Sequence, residues 1–428
     1  MLGSASAVLA VLIASSIPIA AALVLTALIL AQIYSPMPLY FAASEIFWKV
    51  SNEFTLTSVP LFVLLGEILL RAGIAERMYG AVALWLNRLP GGLLHANIGA
   101  STLFSATSGS SVATAATIGT VALPEIRKRG YNERLFLGSL AAGGTLGILI
   151  PPSIHLIIYG MITSTSIPKL YLAGTVPGLL LALLFSGIIL VVCLTRPAYS
   201  GERIQATWRQ RFVSLIDLVP ILLLFLVVVG SIYAGLSTPT EAASLGLVFA
   251  CALAAWYRKL SLRLLHESFL GAMKATGMIM LIVLASYFLN FVLSIIGLSQ
   301  QLTAFIHGLG LSPLATMLVI IAFFVVLGCF LETLSMLVTM TPLVAPIVVG
   351  LGYDPIWFGI IMIILLEVAL ITPPVGINLY VVQAIRRQGS IQDVMAGALP
   401  FVISMFVLIG LLIAFPDIVM WLPDTFGN

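Results

Sequence analysis

The feature that most constrains this chain is a pair of adjacent prolines that occurs twice, each time inside a long apolar run. Pro151-Pro152 and Pro373-Pro374 stand 222 residues apart, and the residues upstream of them repeat at the same offset without a gap. Proline inside a helix removes a backbone hydrogen bond and clashes with the preceding turn, so each pair should interrupt a helix. The sequence therefore predicts two repeats, each with a broken helix.

The composition predicts that these helices lie in a membrane. Hydrophobic residues make up 61% of the 428 residues and charged residues only 8%, whereas soluble domains carry roughly 25% charged residues. Most charges fall in short clusters between apolar runs long enough to cross the hydrocarbon, which takes about 20 residues. We predict an all-α polytopic membrane protein in a lipid bilayer. The net charge of +3 reflects its loops and indicates no nucleic-acid partner.

Nine apolar stretches are predicted to span the bilayer. They are Ala5–Ile33, Phe54–Leu70, Leu135–Thr163, Tyr171–Thr195, Phe212–Ala234, Glu241–Tyr257, Ala275–Leu298, Ile356–Ile385 and Leu399–Trp421. The first is interpreted as one retained transmembrane helix, because it lacks a basic leading segment and exceeds the length of a signal-peptide core. Leu39–Asn52 and Ser261–Lys274 precede spans at matching repeat positions, and they suit helices in the membrane interface, with polar loops as the alternative.

Two further stretches are interpreted as re-entrant helical hairpins. Residues 91–124 are rich in small residues, and residues 314–349 are apolar but interrupted by Glu332 and two prolines. Basic clusters flank the first stretch on both sides, and Lys and Arg favour the cytoplasmic face, so this stretch should enter and return. No Lys or Arg lies between Lys274 and Arg386, so by parity the second hairpin enters from the opposite face. The repeats are thus predicted to be inverted, with the amino terminus inside and the carboxyl terminus outside.

The predicted organisation has three parts. The first repeat covers residues 1–211, with a hairpin at about 91–124 and a broken helix at about 135–163. A connecting helix and loop cover residues 212–239. The second repeat covers residues 240–428, with a hairpin at about 314–349 and a broken helix at about 356–385.

The candidate binding chemistry lies at the hairpin tips and the helix breaks. Ser108-Gly-Ser-Ser111 is placed at the first tip, and Phe330-Leu-Glu-Thr333 follows at the second, 222 residues later. Carbonyls freed at membrane depth need partners, and a sodium ion is one, because hard cations prefer oxygen ligands. The amino termini of half-helices favour anions. The cluster indicates a site for an anion together with a cation, although a single Ser or Thr is more often bonded to a carbonyl one turn earlier.

Three acids lie within apolar surroundings. Glu332 is the favoured functional acid, because it falls at the projected second tip. Glu67 and Glu367 suit either a functional role or plain hydrogen bonding in the protonated form. His155 follows the first break, where packing is the simpler interpretation. The three cysteines and the histidines show no metal-ligand spacing, so we expect neither a disulfide framework nor a transition-metal site.

These residues resemble a known family. The matching stretches are Ser108-Gly-Ser-Ser-Val-Ala, Ile150-Pro-Pro-Ser-Ile, Gly352-Tyr-Asp-Pro and Thr372-Pro-Pro-Val-Gly-Ile-Asn378. They are similar to the large membrane subunit of TRAP transporters, the tripartite ATP-independent periplasmic transporters of bacteria and archaea, and the resemblance covers nearly the whole chain.

The resemblance implies a sodium-coupled importer of organic acid anions in the bacterial inner cytoplasmic membrane. It implies an elevator mechanism, in which a transport domain made of both hairpins and both broken helices slides against a scaffold. It also implies two partners, a small four-helix membrane subunit and a periplasmic substrate-binding protein. Sodium is the only metal expected, and no organic cofactor is. The substrates of the family include C4-dicarboxylates, 2-oxo acids, sialic acids and sugar acids.

The resemblance further implies the site residues. By match to the family's sodium-binding regions, one site is assigned to Ser108, Gly109, Ser110, Gly144, Thr145, Gly147 and Pro151. The other is assigned to Gly328, Glu332, Thr372, Pro374, Gly376 and Asn378. Contacts to the substrate are assigned to Ser111, Thr114, Ser153 and Thr333. Many members carry Asp where this chain has Thr114 and Glu332, so this chain has one charge fewer near the first hairpin and a longer acid at the second.

Two other classes of function compete with this one. A stand-alone sodium-coupled carboxylate symporter with the same inverted hairpins would need no binding protein. A polytopic membrane enzyme or scaffold would use the acids and histidines differently. The sequence shows no zinc-ligand spacing, nucleophile elbow or aspartyl pair, so it is not expected to be an enzyme.

Overall fold

Twenty-three α-helices make up most of residues 2–426, which are the residues that the computed structural model describes. The first half contains α1 Leu2–Ala14, α2 Ile19–Tyr34, α3 Ala43–Ser51, α4 Ser58–Arg71, α5 Ile74–Leu86, α6 Leu93–Ser108, α7 Ser111–Ala122, α8 Pro124–Arg129, α9 Glu133–Thr145, α10 Ile154–Thr163 and α11 Ile167–Thr195. The rest contains α12 Trp208–Ser214, α13 Val219–Phe225, α14 Ser231–Tyr233, α15 Pro239–Trp256, α16 Leu262–Ile295, α17 Leu298–Gly308, α18 Pro313–Gly328, α19 Thr333–Gly350, α20 Pro355–Ile371, α21 Ile377–Arg386, α22 Ile391–Ala414 and α23 Asp417–Phe426. No strand occurs within these residues, so the predicted all-α class is confirmed.

Seven helical stretches of this part of the chain are long and apolar enough to cross a membrane. They are Phe54–Arg71, Ile167–Thr195, Trp208–Tyr233, Pro239–Trp256, Leu262–Ile295, Thr333–Gly350 and Ile391–Ala414. Shorter apolar helices also occur, and they include α10 and α20, one half of each broken helix. The prediction of a polytopic membrane protein is confirmed.

The order of elements repeats along the chain. The helix α7 begins at Ser111 and α19 at Thr333, while α9 begins at Glu133 and α20 at Pro355, so both pairs are 222 residues apart. Each half of the chain therefore runs from a helix pair through a broken helix to a long helix. The inverted orientation of the two halves stays a prediction.

Polar side chains start the helices at the tips and breaks. The side chains of Ser110, Ser153 and Glu332 accept backbone N–H groups in the first turns of α7, α10 and α19. The first N–H groups of a helix have no partner within it, and an oxygen at the cap position satisfies them. The sequence thus specifies where the chain turns back into a helix at both tips and after the first break.

The predicted single span Ala5–Ile33 is wrong. Two helices, α1 and α2, occupy this segment and pack against each other, and the Ser4 hydroxyl lies 2.7 Å from the Tyr34 hydroxyl. Pro18 stands at the start of α2, where a missing N–H is tolerated, and the chain turns just before it. The amino end of α1 therefore lies beside the carboxyl end of α2. A single span would have put these two ends on opposite faces of the membrane, so the parity argument that placed the amino terminus inside fails.

Two predicted boundaries also differ from the structure. Residues 261–274 do not form a separate interfacial helix, because α16 runs without interruption from Leu262 to Ile295. The predicted division after residue 211 falls inside a helical stretch that begins at Trp208. No proline or glycine separates the charged residues at 208–211 from the apolar residues that directly follow, and Gly271 does not interrupt α16.

The second part of each broken helix packs against the other half of the chain. The second part of the first broken helix, α10, packs on α19 of the second hairpin, while α21 packs on α7 and α9 of the first half. At the centre, α9 meets α22 where Gly138 and Gly397 let the two backbones touch. Each break lies beside the hairpin of its own half, while the helix that follows the break packs on the other half.

Candidate functional site

Both hairpin tips line one cavity of about 280 Å³. The first tip contributes Ser108 to Ala113, and the second contributes Glu332 to Leu334. Ile148, Ile154 and His155 line it from the first break and the start of α10. The opposite wall is formed by α4 and α16. The cavity thus lies between the hairpins on one side and two long helices on the other.

The first tip packs directly onto the first break. A Cβ atom added to Gly147 would lie 2.7 Å from the carbonyl carbon and oxygen of Ser110 and 2.8 Å from the Ser111 nitrogen. Gly109 has a φ of +58°, and a Cβ there would lie 2.9 Å from the Pro152 carbonyl oxygen. Glycine is required at both positions, because any side chain would separate the tip from the break.

Hydroxyl groups tie this region together. The Thr114 hydroxyl donates to the Ser110 carbonyl at 2.8 Å and lies 2.9 Å from the Ser108 hydroxyl, which must therefore donate to it. The Ser111 hydroxyl donates to the Thr145 carbonyl at 3.0 Å. These bonds hold the tip and the end of α9 in one polar cluster, which contains most of the residues assigned to the first sodium site.

The first break is buried. Pro151, Pro152 and Ser153 are all shielded from solvent, and the Pro151–Pro152 peptide is cis. Because Pro151 has no N–H, the Gly147 carbonyl one turn earlier lacks its helical donor. The Ile148 carbonyl is satisfied instead by the Ser153 hydroxyl. Carbonyl oxygens at this depth are suitable ligands for a hard cation.

At the second tip, Glu332 has a structural role as a cap. Its carboxylate accepts the N–H groups of Leu334 and Ser335, each at 3.0 Å. It also accepts the hydroxyls of Thr333 at 3.1 Å and Ser335 at 3.2 Å. Glu332 still lines the cavity, so its charge faces the same space as the first tip. A carboxylate at a helix amino terminus is favoured by the helix dipole.

The second break differs from the first by its exposure. Pro373, Pro374 and Val375 are exposed, and the Pro373–Pro374 peptide is cis. The Thr372 hydroxyl donates to the Val368 carbonyl at 2.6 Å, within its own helix. The break opens to the surface, so the two breaks are not equivalent in this structure.

The hairpin residues near this break approach it closely. The Cys329 thiol lies 3.5 Å from the Pro373 carbonyl. A Cβ added to Gly328 would lie 2.6 Å from the Cβ of Ala369. Gly376 begins α21 with a φ of +26°, and a Cβ there would lie 3.1 Å from the Thr372 carbonyl oxygen. The structure therefore brings Gly328 and Thr372 to Gly376 into one region, as the assignment of the second sodium site requires.

Asn378 lies elsewhere. It is fully buried, and its amide donates to the Ala141 carbonyl of α9 at 3.3 Å. The same nitrogen would lie 3.1 Å from a Cβ at Gly144. Its Oδ1 has no hydrogen-bond partner among residues 2–426. Asn378 thus joins the first polar cluster, a contact that arises only because α21 packs against the opposite half of the chain.

The four predicted substrate contacts separate into two pairs. Ser111 and Thr333 line the cavity, whereas Thr114 and Ser153 do not and have their hydroxyls bonded to the backbone. His155 lines the cavity with its Nε2 atom 3.3 Å from the Thr333 hydroxyl. Sequence reasoning favoured packing for this histidine, and its position just after a break was the available signal.

The other two acids within apolar segments also differ from each other. Glu67 lines the cavity from α4, and its carboxylate accepts a bond from Arg71 at 3.0 Å. Glu367 is fully buried in α20, and neither of its oxygens has a partner among residues 2–426. It does not line the cavity.

Comparisons with known proteins agree with this architecture. Residues 6–418 match the family model described as "Tripartite ATP-independent periplasmic transporter, DctM component". The C4-dicarboxylate TRAP transporter large permease protein DctM of Pseudomonas aeruginosa is 34% identical over 92% of each chain. The sialic acid TRAP transporter large permease protein SiaM of Vibrio cholerae is 32% identical over 97% of this chain and 96% of its own. Both relatives are transporter permeases and not enzymes.

A solved structure shares the fold. The YdaH transporter of Alcanivorax borkumensis, described as having an unusual topology, superposes with a TM-score of 0.57 over 93% of this chain and 98% of its own. The two chains are 16% identical, so this likeness concerns the fold alone.

Proposed function

This chain belongs to the DctM component family of the tripartite ATP-independent periplasmic transporters, and on that premise we propose that it imports organic acid anions, coupled to sodium, across the bacterial inner membrane. It is an integral membrane protein and a large permease component of a TRAP transporter. The relatives are named for C4-dicarboxylates and sialic acid, and both are organic acids. An anion needs a driving force to enter a cell that is negative inside, and a co-transported cation supplies it.

The observation that carries the proposal is the contact between the first tip and the first break. Gly109 and Gly147 let the backbone of the tip lie against the break, where Pro151 frees a carbonyl. Ser108, Ser110 and Thr145 add hydroxyl and carbonyl oxygens to the same cluster. This oxygen-rich, buried cluster is the kind of surrounding that a hard cation such as sodium prefers.

The amino terminus of α7 supports the anion part of the proposal. Ser111 begins α7, Thr333 begins α19, and both residues line the cavity. The positive end of the α7 dipole favours a bound carboxylate, and that of α19 favours the Glu332 carboxylate that caps it. A sodium ion behind the first tip would add positive charge to the same place, which couples the binding of the two ligands.

The arrangement of the cavity supports an elevator mechanism. One wall consists of the hairpins and the first break, and the other of α4 and α16. If the hairpins and broken helices move as one body against these long helices, the cavity crosses the membrane with its contents. Gly66 of α4 allows this close fit, because a Cβ there would lie 3.3 Å from the Cα of Ser108.

The family description also supports two partners. A DctM component belongs to a tripartite system, so we propose a small four-helix membrane subunit and a periplasmic substrate-binding protein. The stand-alone symporter is the competing function, and the family match does not favour it.

The test is uptake into proteoliposomes that contain this chain with its two proposed partners. Labelled organic acids are supplied with an inward sodium gradient or with an equal potassium gradient. We expect uptake only with sodium and only when the binding protein is present. Uptake without the binding protein would support the stand-alone symporter, and sodium-independent uptake by a folded complex would contradict the sodium coupling.

A further inference from the structure

The central cavity is mostly apolar. Phe104, Val112, Ile148, Leu334 and Leu370 line it from the hairpins and the broken helices. The facing helices α4 and α16 add further aliphatic side chains. Polar groups of a ligand that were buried against these surfaces would lose water without gaining partners. Most of the surface of a bound molecule must therefore be apolar.

The cavity offers no cationic side chain for a second carboxylate. Among the described residues that line it, none is Lys or Arg, and the ionisable ones are Glu67, His155 and Glu332. The start of α7 supplies a positive dipole end for one carboxylate, whereas the start of α19 is already capped by the Glu332 carboxylate. A second carboxylate would lie among apolar side chains and two glutamates, and an unpaired buried charge is strongly disfavoured.

The polar atoms at the tips are largely engaged within the protein. The Ser108 and Ser111 hydroxyls donate to protein oxygens, and the Glu332 carboxylate caps α19. His155 differs, because its Nδ1 atom is buried and has no partner among residues 2–426, while its Nε2 atom lies near Thr333. The Thr333 hydroxyl donates to Glu332, so Nε2 of a neutral His155 donates to the Thr333 oxygen, and the ring offers no donor to a carboxylate. An acid with many hydroxyls would find few further partners.

The cavity is also small. Its volume of about 280 Å³ equals about nine water molecules at roughly 30 Å³ each. Ligand sites commonly measure about 300 to 1,000 Å³, so this one is at the lower limit. A compact molecule therefore suits this cavity best.

We infer that the substrate is a small monocarboxylate with an aliphatic or aromatic body, bound in this cavity with its carboxylate at the first hairpin tip, where α7 begins. This inference rests on the proposed function and narrows its substrate class. It separates this chain from the relatives named for C4-dicarboxylates and sialic acid, whose substrates are doubly charged or rich in hydroxyls.

Two matched pairs of acids test the inference by direct binding. Isocaproate and succinate have nearly the same shape, but succinate has a second carboxylate where isocaproate has an isopropyl group. Hexanoate and gluconate have the same carbon chain, but gluconate carries hydroxyl groups along it. Binding to the full chain, purified in detergent with sodium, is measured as the shift in Tm over a concentration series. We expect each apolar acid to bind at least tenfold more tightly than its polar counterpart.

A variant pair locates the binding. Val112→Thr adds a hydroxyl to the cavity without changing its shape, and we expect it to weaken isocaproate binding about threefold to tenfold. Val191→Thr is the control, since Val191 is exposed on α11, away from the cavity. Equal weakening in both variants, or in neither, would show that the cavity is not the binding place.

The outcomes distinguish this inference from the proposed function. Tighter binding of succinate or gluconate, or sodium-driven uptake of either in preference to the apolar acid, would overturn the inference and leave sodium-coupled import standing. If the chain responds to sodium but binds none of the four acids, the monocarboxylate class is wrong. Binding of isocaproate without sodium-driven uptake would support the class and contradict the coupling.

Discussion

The substitution Gly147→Ala tests the contact between the first tip and the first break. The added methyl would lie 2.7 Å from the Ser110 carbonyl, whereas ordinary contacts begin at 3.4 Å, so the tip must move away by about 0.7 Å. The atoms it meets are backbone atoms, which cannot rotate aside as a side chain would. We therefore expect the variant to separate the oxygens that the proposed sodium site needs.

The expected size of the effect follows from the cost of overpacking. Extra methyl groups in a well-packed interior cost about 1 to 3 kcal/mol, and every 1.4 kcal/mol is about a tenfold change in affinity. If sodium binding has to restore the displaced tip, the apparent affinity for sodium should fall about fivefold to 140-fold. The half-maximal sodium concentration for uptake should rise by the same factor.

The assay measures Tm of the purified chain across a sodium series, with potassium added to keep the ionic strength constant. Gly187→Ala in α11 is the matched control, because a Cβ there meets nothing within 4 Å. It should leave the sodium response unchanged. A folded Gly147→Ala protein whose half-maximal sodium concentration stays within twofold of the parent would refute the assignment of the first sodium site.

Two further predictions concern other helix contacts. The Asn290 amide of α16 donates at 3.1 Å to the Val338 carbonyl of α19, which lacks a helical donor because Pro342 has no N–H. Asn290→Leu removes this hydrogen bond and should destabilise the packing of α16 on α19 by about 0.5 to 1.5 kcal/mol. Distances between spin labels on α16 and α19 should then show a smaller population of the present conformation, and an unchanged distribution would contradict the link. Gly138→Ala places a methyl on the backbone of Gly397, so α9 and α22 must separate, which should cost at least the 1 to 3 kcal/mol of ordinary overpacking. A clear fall in Tm is expected, and a Tm equal to that of the parent would show that the helices separate freely.

The helix breaks were predictable because their cause is local. Proline lacks an N–H wherever it stands in a helix, so both proline pairs interrupt their helices as expected. The capping residues Ser110 and Ser153 act within three residues of themselves. By contrast, the fold-back of α1 onto α2 depends on contacts across the turn, and hydropathy alone does not distinguish a span from two short helices.

The residues at the site were predictable as regions, while their roles were not. Glu332 was correctly placed at the second tip, but its carboxylate caps α19. Thr114 and Ser153 were expected to contact substrate, yet both hydroxyls bond to the backbone. Whether a hydroxyl faces a ligand or a carbonyl depends on its rotamer and its neighbours, and a sequence motif records neither.

Hydropathy and proline spacing were enough to predict a duplicated, all-helical membrane protein with two interrupted helices. The preference for lipid and the missing proline N–H are properties of single residues, so they can be taken directly from the sequence. The tertiary structure decided which oxygens meet. It placed Asn378 against α9 of the other half, buried one break while exposing the other, and brought His155 to the second tip. These contacts join residues far apart in the chain, so they depend on how whole helices pack.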